Sequence, residues 1–289
     1  MDLDPRLLKI IACPKCMGRL FLVDENLRCD LCGEVYLIDE GIPVLITQPN
    51  TTEGFDYRTH YTLDSEKFDY FEERTGATAH SERRVREYIL SLVPKNSESV
   101  LDVGCGSAWV AKAFQKSSTF LCSLDISSVN PRKALERYPS PNHVGVAADT
   151  YHLPFANNSF DTIIASEIIE HLHDPNAFAA ELLRVVKPNG TVVVSTPYKE
   201  KLVYELCIHC HQMTPHNAHL WSWDEPKLRA LFADRVNSWQ FAAFNNKLLL
   251  FGRTYPILKL FPFGLWKTFD KIANSVINRP VNCIMKIVK

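Results

Sequence analysis

Cys13-Pro-Lys-Cys16 and Cys29-Asp-Leu-Cys32 form two hooks, and each spacing lets a pair of thiolates turn toward one ion. Four thiolates close a tetrahedron with no open position for water or substrate. Soft ligands in that number favour zinc, so Cys13, Cys16, Cys29 and Cys32 predict a structural metal site rather than a catalytic one. Four buried free thiols are the alternative, but random burial does not produce paired spacing. A second set of residues suits ligand binding: Gly104 and Gly106 in VLDVGCGSAW, Asp125 in SLDIS and Asp149 in AADTYHLPF. Glycines let a backbone turn tightly and approach a ligand, and a carboxylate can accept both hydroxyls of a ribose at a cost of roughly 1.5 to 3 kcal/mol if lost. A third set, Glu170, His171 and His173, includes imidazoles that titrate near neutrality and can move a proton.

These residues need elements to place them. Between the two hooks, the alternating run Arg19 to Val23 and the turn-like Asp24-Glu25-Asn26 predict a hairpin that brings the hooks together. GIPVLI, ending at Ile46, reads as a last strand before a polar linker from Thr47 to Gly54. So small a piece has little core, and zinc binding is expected to supply its stability, about 10 to 16 kcal/mol apparent at neutral pH. From Ser81 onward helical and strand patterns alternate, starting with Val85, Ile89 and Leu92 at helical spacing and the apolar run Ser99 to Val103. Further strands are expected at Phe120 to Leu124, Val144 to Ala147, Thr162 to Ala165 and Thr191 to Ser195. Helices fit Ala108 to Phe114 and Asn176 to Val186, the latter stopped by Lys187-Pro188-Asn189-Gly190. The alternation predicts an α/β fold, a doubly wound Rossmann-like sheet preceded by a small zinc ribbon, with ligands bound beyond the carboxyl ends of the strands. The expected division is a ribbon over 1–47, a linker and aromatic lid over 48–80, and a larger domain over 81–289 with a Cys/His-rich insertion at about 199–220.

Taken in order and spacing, DVGCGS, SLDIS, AADTYHLPF and SEIIEHL resemble the class I methyltransferases that use S-adenosylmethionine, especially the branch acting on quinones and other small molecules. The likeness is close over Ser81 to Gly190. It implies that Asp102 and Gly104 meet the methionine part of the cofactor, Asp125 the ribose, and Asp149 with Thr150 the adenine, with Gly106 and Ser166, the latter at the exit of the fourth strand, as further cofactor-binding residues. Ala108 stands where that family usually has a third glycine, and closer packing is expected there. The first 46 residues resemble the zinc-ribbon family whose eukaryotic member activates several methyltransferases. That likeness implies a ribbon that steadies the larger domain or meets a protein partner.

Methyl transfer demands positioning above all, with a base needed only when the acceptor must lose a proton. Glu170 and His171 are the candidate catalytic residues, with a structural or cofactor-supporting role as the alternative for His171. Cys207, His209, Cys210, His211, His216 and His219 crowd one stretch after the fifth strand. Cys207, Cys210, His216 and His219 are a candidate second metal set, against an ordinary substrate loop. Ser222 to Glu225 fits a capping box for a helix running through Phe232. Tyr57, Tyr61, Phe68, Tyr70 and Phe71 suggest either a lid over the cofactor or a surface that packs the ribbon.

Beyond Phe241 stand Lys247, Arg253, Lys259, Lys267, Lys271, Arg279, Lys286 and Lys289 against the single acid Asp270, mixed with apolar pieces. This suits a membrane surface or an anionic acceptor, against a solvated rim around a helix and a last strand at Val281 to Val288. Over all 289 residues the formal net charge is -1, which argues against general binding to nucleic acid. The apolar stretch at the N-terminus is too short for a signal peptide or a membrane span, so a cytoplasmic setting is expected. The leading expectation is a methyltransferase acting on a small or lipid-like acceptor, O-methylation being commonest in the resembling branch. RNA methylation and a non-catalytic, cofactor-binding scaffold are the alternatives.

Overall fold

In a computed structural model, residues 3–47, 56–208, 211–232, 235–252 and 254–289 are described. His209, Cys210, Arg253 and nearly all of the expected linker lie outside them. In chain order the ribbon region holds α1 (Pro5–Ile10), β1 (Leu20–Val23), β2 (Asn26–Cys29), β3 (Val35–Tyr36), β4 (Ile38–Asp39) and β5 (Ile42–Leu45). Then come α2 (Tyr57–Lys67), α3 (Gly76–Leu92), β6 (Ser99–Val103), α4 (Trp109–Phe114), β7 (Phe120–Asp125), α5 (Val129–Arg137), β8 (His143–Ala148) and β9 (Phe160–Ser166). The rest is α6 (Pro175–Val185), β10 (Val186–Pro197), β11 (Tyr204–Leu206), β12 (Met213–Pro215), α7 (Glu225–Phe232), β13 (Ser238–Asn246), α8 (Lys247–Phe251), α9 (Tyr255–Leu258), α10 (Phe263–Val276) and β14 (Pro280–Val288).

The chain forms two compact units. The first unit comprises residues 1–72, 94–164 and 180–190. Its strands lie in the order β10-β9-β6-β7-β8-β5-β4, with β6, β7, β8 and β5 parallel. All six residues of β8 are buried, as expected of a parallel strand covered on both faces. β5 does not stay within the ribbon. It pairs with β8 in the register Val44 to Ala147 and Leu45 to Ala148, so the expected last strand of the ribbon extends the larger sheet. Gly145 makes room for it, since a Cβ there would lie 2.8 Å from Ile42 Cδ1. The N-terminal end is fastened too, with Ala12 N donating to Pro154 O and Ala156 N donating to Ile10 O.

The second unit comprises residues 73–93, 165–179 and 191–289, with strand order β13-β14-β10-β9. β14 is antiparallel to both β10 and β13. Two local expectations are corrected. Asp224, not Ser222, caps α7, its Oδ1 accepting from Lys227 N at 3.1 Å. β10 starts at Val186, directly after α6, so the Lys187-Pro188-Asn189-Gly190 turn becomes the first part of that strand, with Asn189 at φ 61°. α3 starts at Gly76 and buries Val85 and Ile89 on its inner face.

Candidate functional site

The ribbon sulfurs converge. Cys13, Cys16, Cys29 and Cys32 place their Sγ atoms within 4.8 Å of one another, and Cys13 Sγ lies 3.1 Å from the Tyr36 hydroxyl. The β1–β2 hairpin, in the register Leu20 to Cys29, provides this convergence. A closed set of four thiolates held by an outer hydrogen bond fits zinc.

In the first unit the glycine loop follows β6. Gly104 and Cys105 donate their N–H groups to Leu124 O, tying the loop to β7, and Gly104 takes φ 71°. Ala108 has φ 53°, a left-handed backbone that explains a glycine preference at that position better than packing does. Asp125 ends β7. Its Oδ2 accepts from Gly106 N at 3.2 Å and Asn130 Nδ2 at 3.3 Å, and its Oδ1 accepts from Ile126 N. Burial raises its carboxyl above the usual range, against the pull of these donors. Asp102 is buried, and its Oδ2 has no hydrogen-bond partner among the described residues. Burial first, and the neighbouring Asp125 second, push its carboxyl up to about 8.

Asp149 is engaged in a way the sequence did not signal. Its Oδ2 accepts from Tyr57 Oη at 2.5 Å and pairs with Arg58 Nη2 at 2.6 Å, while Oδ1 accepts from Tyr151 N. Arg58 also reaches Thr47 O, so α2 is fastened to the carboxylate and to the chain leaving β5. Thr150 beside Asp149 is buried. Tyr70 lies against the glycine loop, where a Cβ on Gly106 would meet its ring at 3.4 Å, and its hydroxyl donates to Asp64. Asn130 was also missed. A polar amide at a helix start carries little signal until burial shows that its orientation matters.

In the second unit Glu170 follows β9, buried, with Oε2 accepting from Thr196 Oγ1 at 2.9 Å. Its backbone oxygen accepts from Leu220 N, drawing the segment after His219 back to it. The His171 and His219 rings meet edge to face at 4.9 Å, and His219 Nδ1 lies 2.5 Å from Glu200 Oε2. Donor atoms of Glu170, His171 and His219 all fall within 4.8 Å of one another. Glu167 adds a second carboxylate, accepting from Ser195 Oγ and pushed up to about 7 chiefly by burial. Burial and the nearby Glu167 raise Glu170 well above the carboxylate range. Ser166 Oγ is 3.1 Å from Ser195 Oγ. The expected second metal set is not gathered among the described residues: His219 joins Glu170 and His171, His216 pairs with Glu205, and Cys210 is not described. His173 is exposed.

Residues 77–235, more than half of the chain, match the family described as methyltransferase domain. The chain belongs to the methyltransferase-domain family. Residues 4–41 match the family described as Trm112p-like protein, so this methyltransferase-family protein carries a Trm112-like zinc ribbon at its N-terminal side. It is 31% identical over 121 residues to a malonyl-[acyl-carrier protein] O-methyltransferase of Hahella chejuensis, covering 41% of this chain and 43% of that one. It is also 31% identical over 156 residues to a demethylmenaquinone methyltransferase of Corynebacterium glutamicum, covering 50% of this chain and 62% of the relative. In each case the chain spans less than two thirds of the relative. Among solved structures, the [4+2]-cyclase SpnF superposes with a TM-score of 0.55 at 17% identity, over 81% of this chain and 94% of the cyclase. The shared element is the class I S-adenosylmethionine-dependent methyltransferase fold.

Proposed function

We propose that this protein transfers a methyl group from S-adenosylmethionine to an oxygen of a small or lipid-like acceptor. The observation that carries the reading is the orphaned Oδ2 of buried Asp102. A buried carboxylate without a partner is costly, and a ligand ammonium removes the cost. The methionine part of the cofactor carries such a group, so the residues present fit it. Gly104 and Gly106 keep side chains away from the same ligand, Asp125 holds the ribose hydroxyls, and Asp149 with Thr150 borders the adenine. When bound, the cofactor supplies an electrophilic methyl group on a sulfonium.

The acceptor side is assigned to Glu170 and His171, and Ser166, preceding them at the strand exit, to the cofactor. His171 Nδ1 donates to Ala218 O at 3.3 Å, a contact that holds the ring in place beside Glu170. An imidazole at the strand exit can take up a proton that the acceptor loses, and the His219–Glu200 contact orients the neighbouring ring. Two relatives named for methylating malonyl-[acyl-carrier protein] and demethylmenaquinone support acceptors of this size.

The test is calorimetric titration with S-adenosylhomocysteine, followed by transfer of labelled methyl from S-adenosylmethionine into a lipid and quinol extract. Micromolar binding with label in a base-labile or ether-type product supports the reading. Binding without transfer to any extract returns the scaffold reading, and label entering RNA instead would replace the acceptor class.

A further inference from the structure

Helix α10 presents its apolar side to solvent. Leu265, Phe269, Ile272 and Val276 follow one another at spacings of four, three and four, which makes one stripe along a helix. All four are exposed, from 45% for Leu265 to 76% for Val276. The opposite side is anchored by Trp266 and Asp270, both buried. Asp270 accepts from the backbone N–H groups of Asn245 and Asn246, at 3.2 and 2.7 Å, and the Arg84 guanidinium sits over the Trp266 ring. Turning the stripe inward would break both hydrogen bonds and carry a carboxylate out of its site, so the outward orientation is fixed by the fold.

The stripe continues onto the neighbouring short helices. The Phe261 and Phe269 ring centroids lie 5.4 Å apart, and Leu260 just after α9 and Phe251 in α8 are both exposed. The cations of this face are arranged around these groups. Lys247, Lys259, Lys271 and Arg279 are exposed, and none forms an ion pair among the described residues. From Ser238 to the last residue the only acid is Asp270, which is buried and spent on backbone donors. The nearest helix with acids, α3, uses them on its own arginines: Glu82 pairs with Arg86, and Glu87 with Arg83 and Arg84.

We propose that α8, α9 and α10 form a docking surface for an anionic lipid bilayer, with α10 lying in the plane of the interface. Apolar side chains reach the boundary of headgroups and acyl chains, and the flanking lysines and arginine meet lipid phosphates. Charge complementarity selects this occupant. A second copy of the face would set like cations against one another, and a nucleic acid offers phosphates but nothing for the exposed stripe. No described helix is long and apolar enough to cross a membrane, which agrees with a helix lying on the surface. The surface belongs to the second unit alone and does not depend on the acceptor being a lipid.

The experiment is flotation of the zinc-loaded protein with vesicles of phosphatidylcholine alone or with about 30 mol% phosphatidylglycerol. The expected result is binding to the anionic vesicles only, weakened by salt. Phe269→Asp with Ile272→Asp should reduce vesicle partitioning by about tenfold or more, and Lys259→Glu with Lys271→Glu should do the same through charge. These side chains are exposed, so thermal melting and S-adenosylhomocysteine affinity should stay unchanged in both variants, separating this proposal from the functional one. Absence of binding to anionic vesicles overturns the proposal, as does binding insensitive to either pair of substitutions. A dimer in light scattering that the Phe269 and Ile272 substitutions abolish would assign the face to a second copy instead.

Discussion

Arg58 Nη2 lies 2.6 Å from Asp149 Oδ2, joining helix α2 to the carboxylate that ends the strand β8 region. Asp149 is nearly inaccessible, whereas Arg58 is partly exposed, so removing the cation leaves the buried carboxyl, among the described residues, with Tyr57 and a backbone donor. Arg58→Ala is expected to destabilise the protein by about 1 to 3 kcal/mol, less than a fully buried pair because solvent screens the exposed partner. Urea denaturation measures the loss. Hydrogen exchange should also quicken across Tyr57 to Lys67, and unchanged exchange there would show that α2 is held by something other than this contact.

Asp102 gives a pH dependence with a definite sign. In the free protein its carboxyl holds a proton up to about pH 8, while an ammonium ligand pairs with the ionised form. Binding therefore releases a proton below that pH. Affinity for S-adenosylhomocysteine should rise from pH 6 toward pH 8, by up to about tenfold per unit, and then level off. Stability of the free protein runs the other way: the contribution is complete below the unfolded value near 3.8 and is lost as pH rises through about 8. Asp102→Asn should flatten both profiles and weaken binding by roughly 10-fold to 100-fold. A pH-independent affinity in the native protein would remove the ammonium assignment.

Gly145 allows β5 to approach β8. A Cβ at this position would sit 2.8 Å from Ile42 Cδ1 and 2.9 Å from Pro131 Cβ. Gly145→Ala is expected to cost about 1 to 3 kcal/mol by overpacking. Adding Ile42→Val should recover part of that loss, because Cδ1 is removed while the rigid Pro131 ring stays. Full recovery, or none, in the denaturation midpoints would show that the crowding is distributed differently.

Zinc removal should reach beyond the ribbon. The hooks flank the β1–β2 hairpin, and the same region ends in β5, which is paired with β8. Cys29→Ser, or treatment with a strong chelator, is expected to release the metal, lower the melting temperature and speed hydrogen exchange in His143 to Ala148. Zinc analysis and exchange mass spectrometry check both parts. Exchange in β8 that ignores metal loss would mean that β5 keeps its pairing without an intact ribbon.

Local order in the sequence was enough for the two metal hooks, the glycine loop and the carboxylate of Asp125, because their spacing along the chain is itself the geometric requirement. Strand positions were legible for the same reason: buried parallel strands such as β7 and β8 are continuous apolar runs. Ala108 shows the limit of that reading. A small residue in place of glycine suggested packing, whereas the observed φ of 53° makes backbone conformation the governing constraint.

What the sequence by itself determined was therefore the family, the ribbon and which residue types stand at the strand ends. Only the tertiary structure decided which distant groups meet. Arg58 reaches Asp149, His219 returns to His171, and β5 leaves the ribbon for the sheet edge. It also decided which way α10 faces: helical spacing reveals an apolar stripe but not its direction, and here Asp270 and its two backbone donors turn that stripe outward. The physical reason is common to these cases. Contacts between residues far apart in the chain depend on loop closure and on the packing of whole elements, and neither is written in the local order of residues.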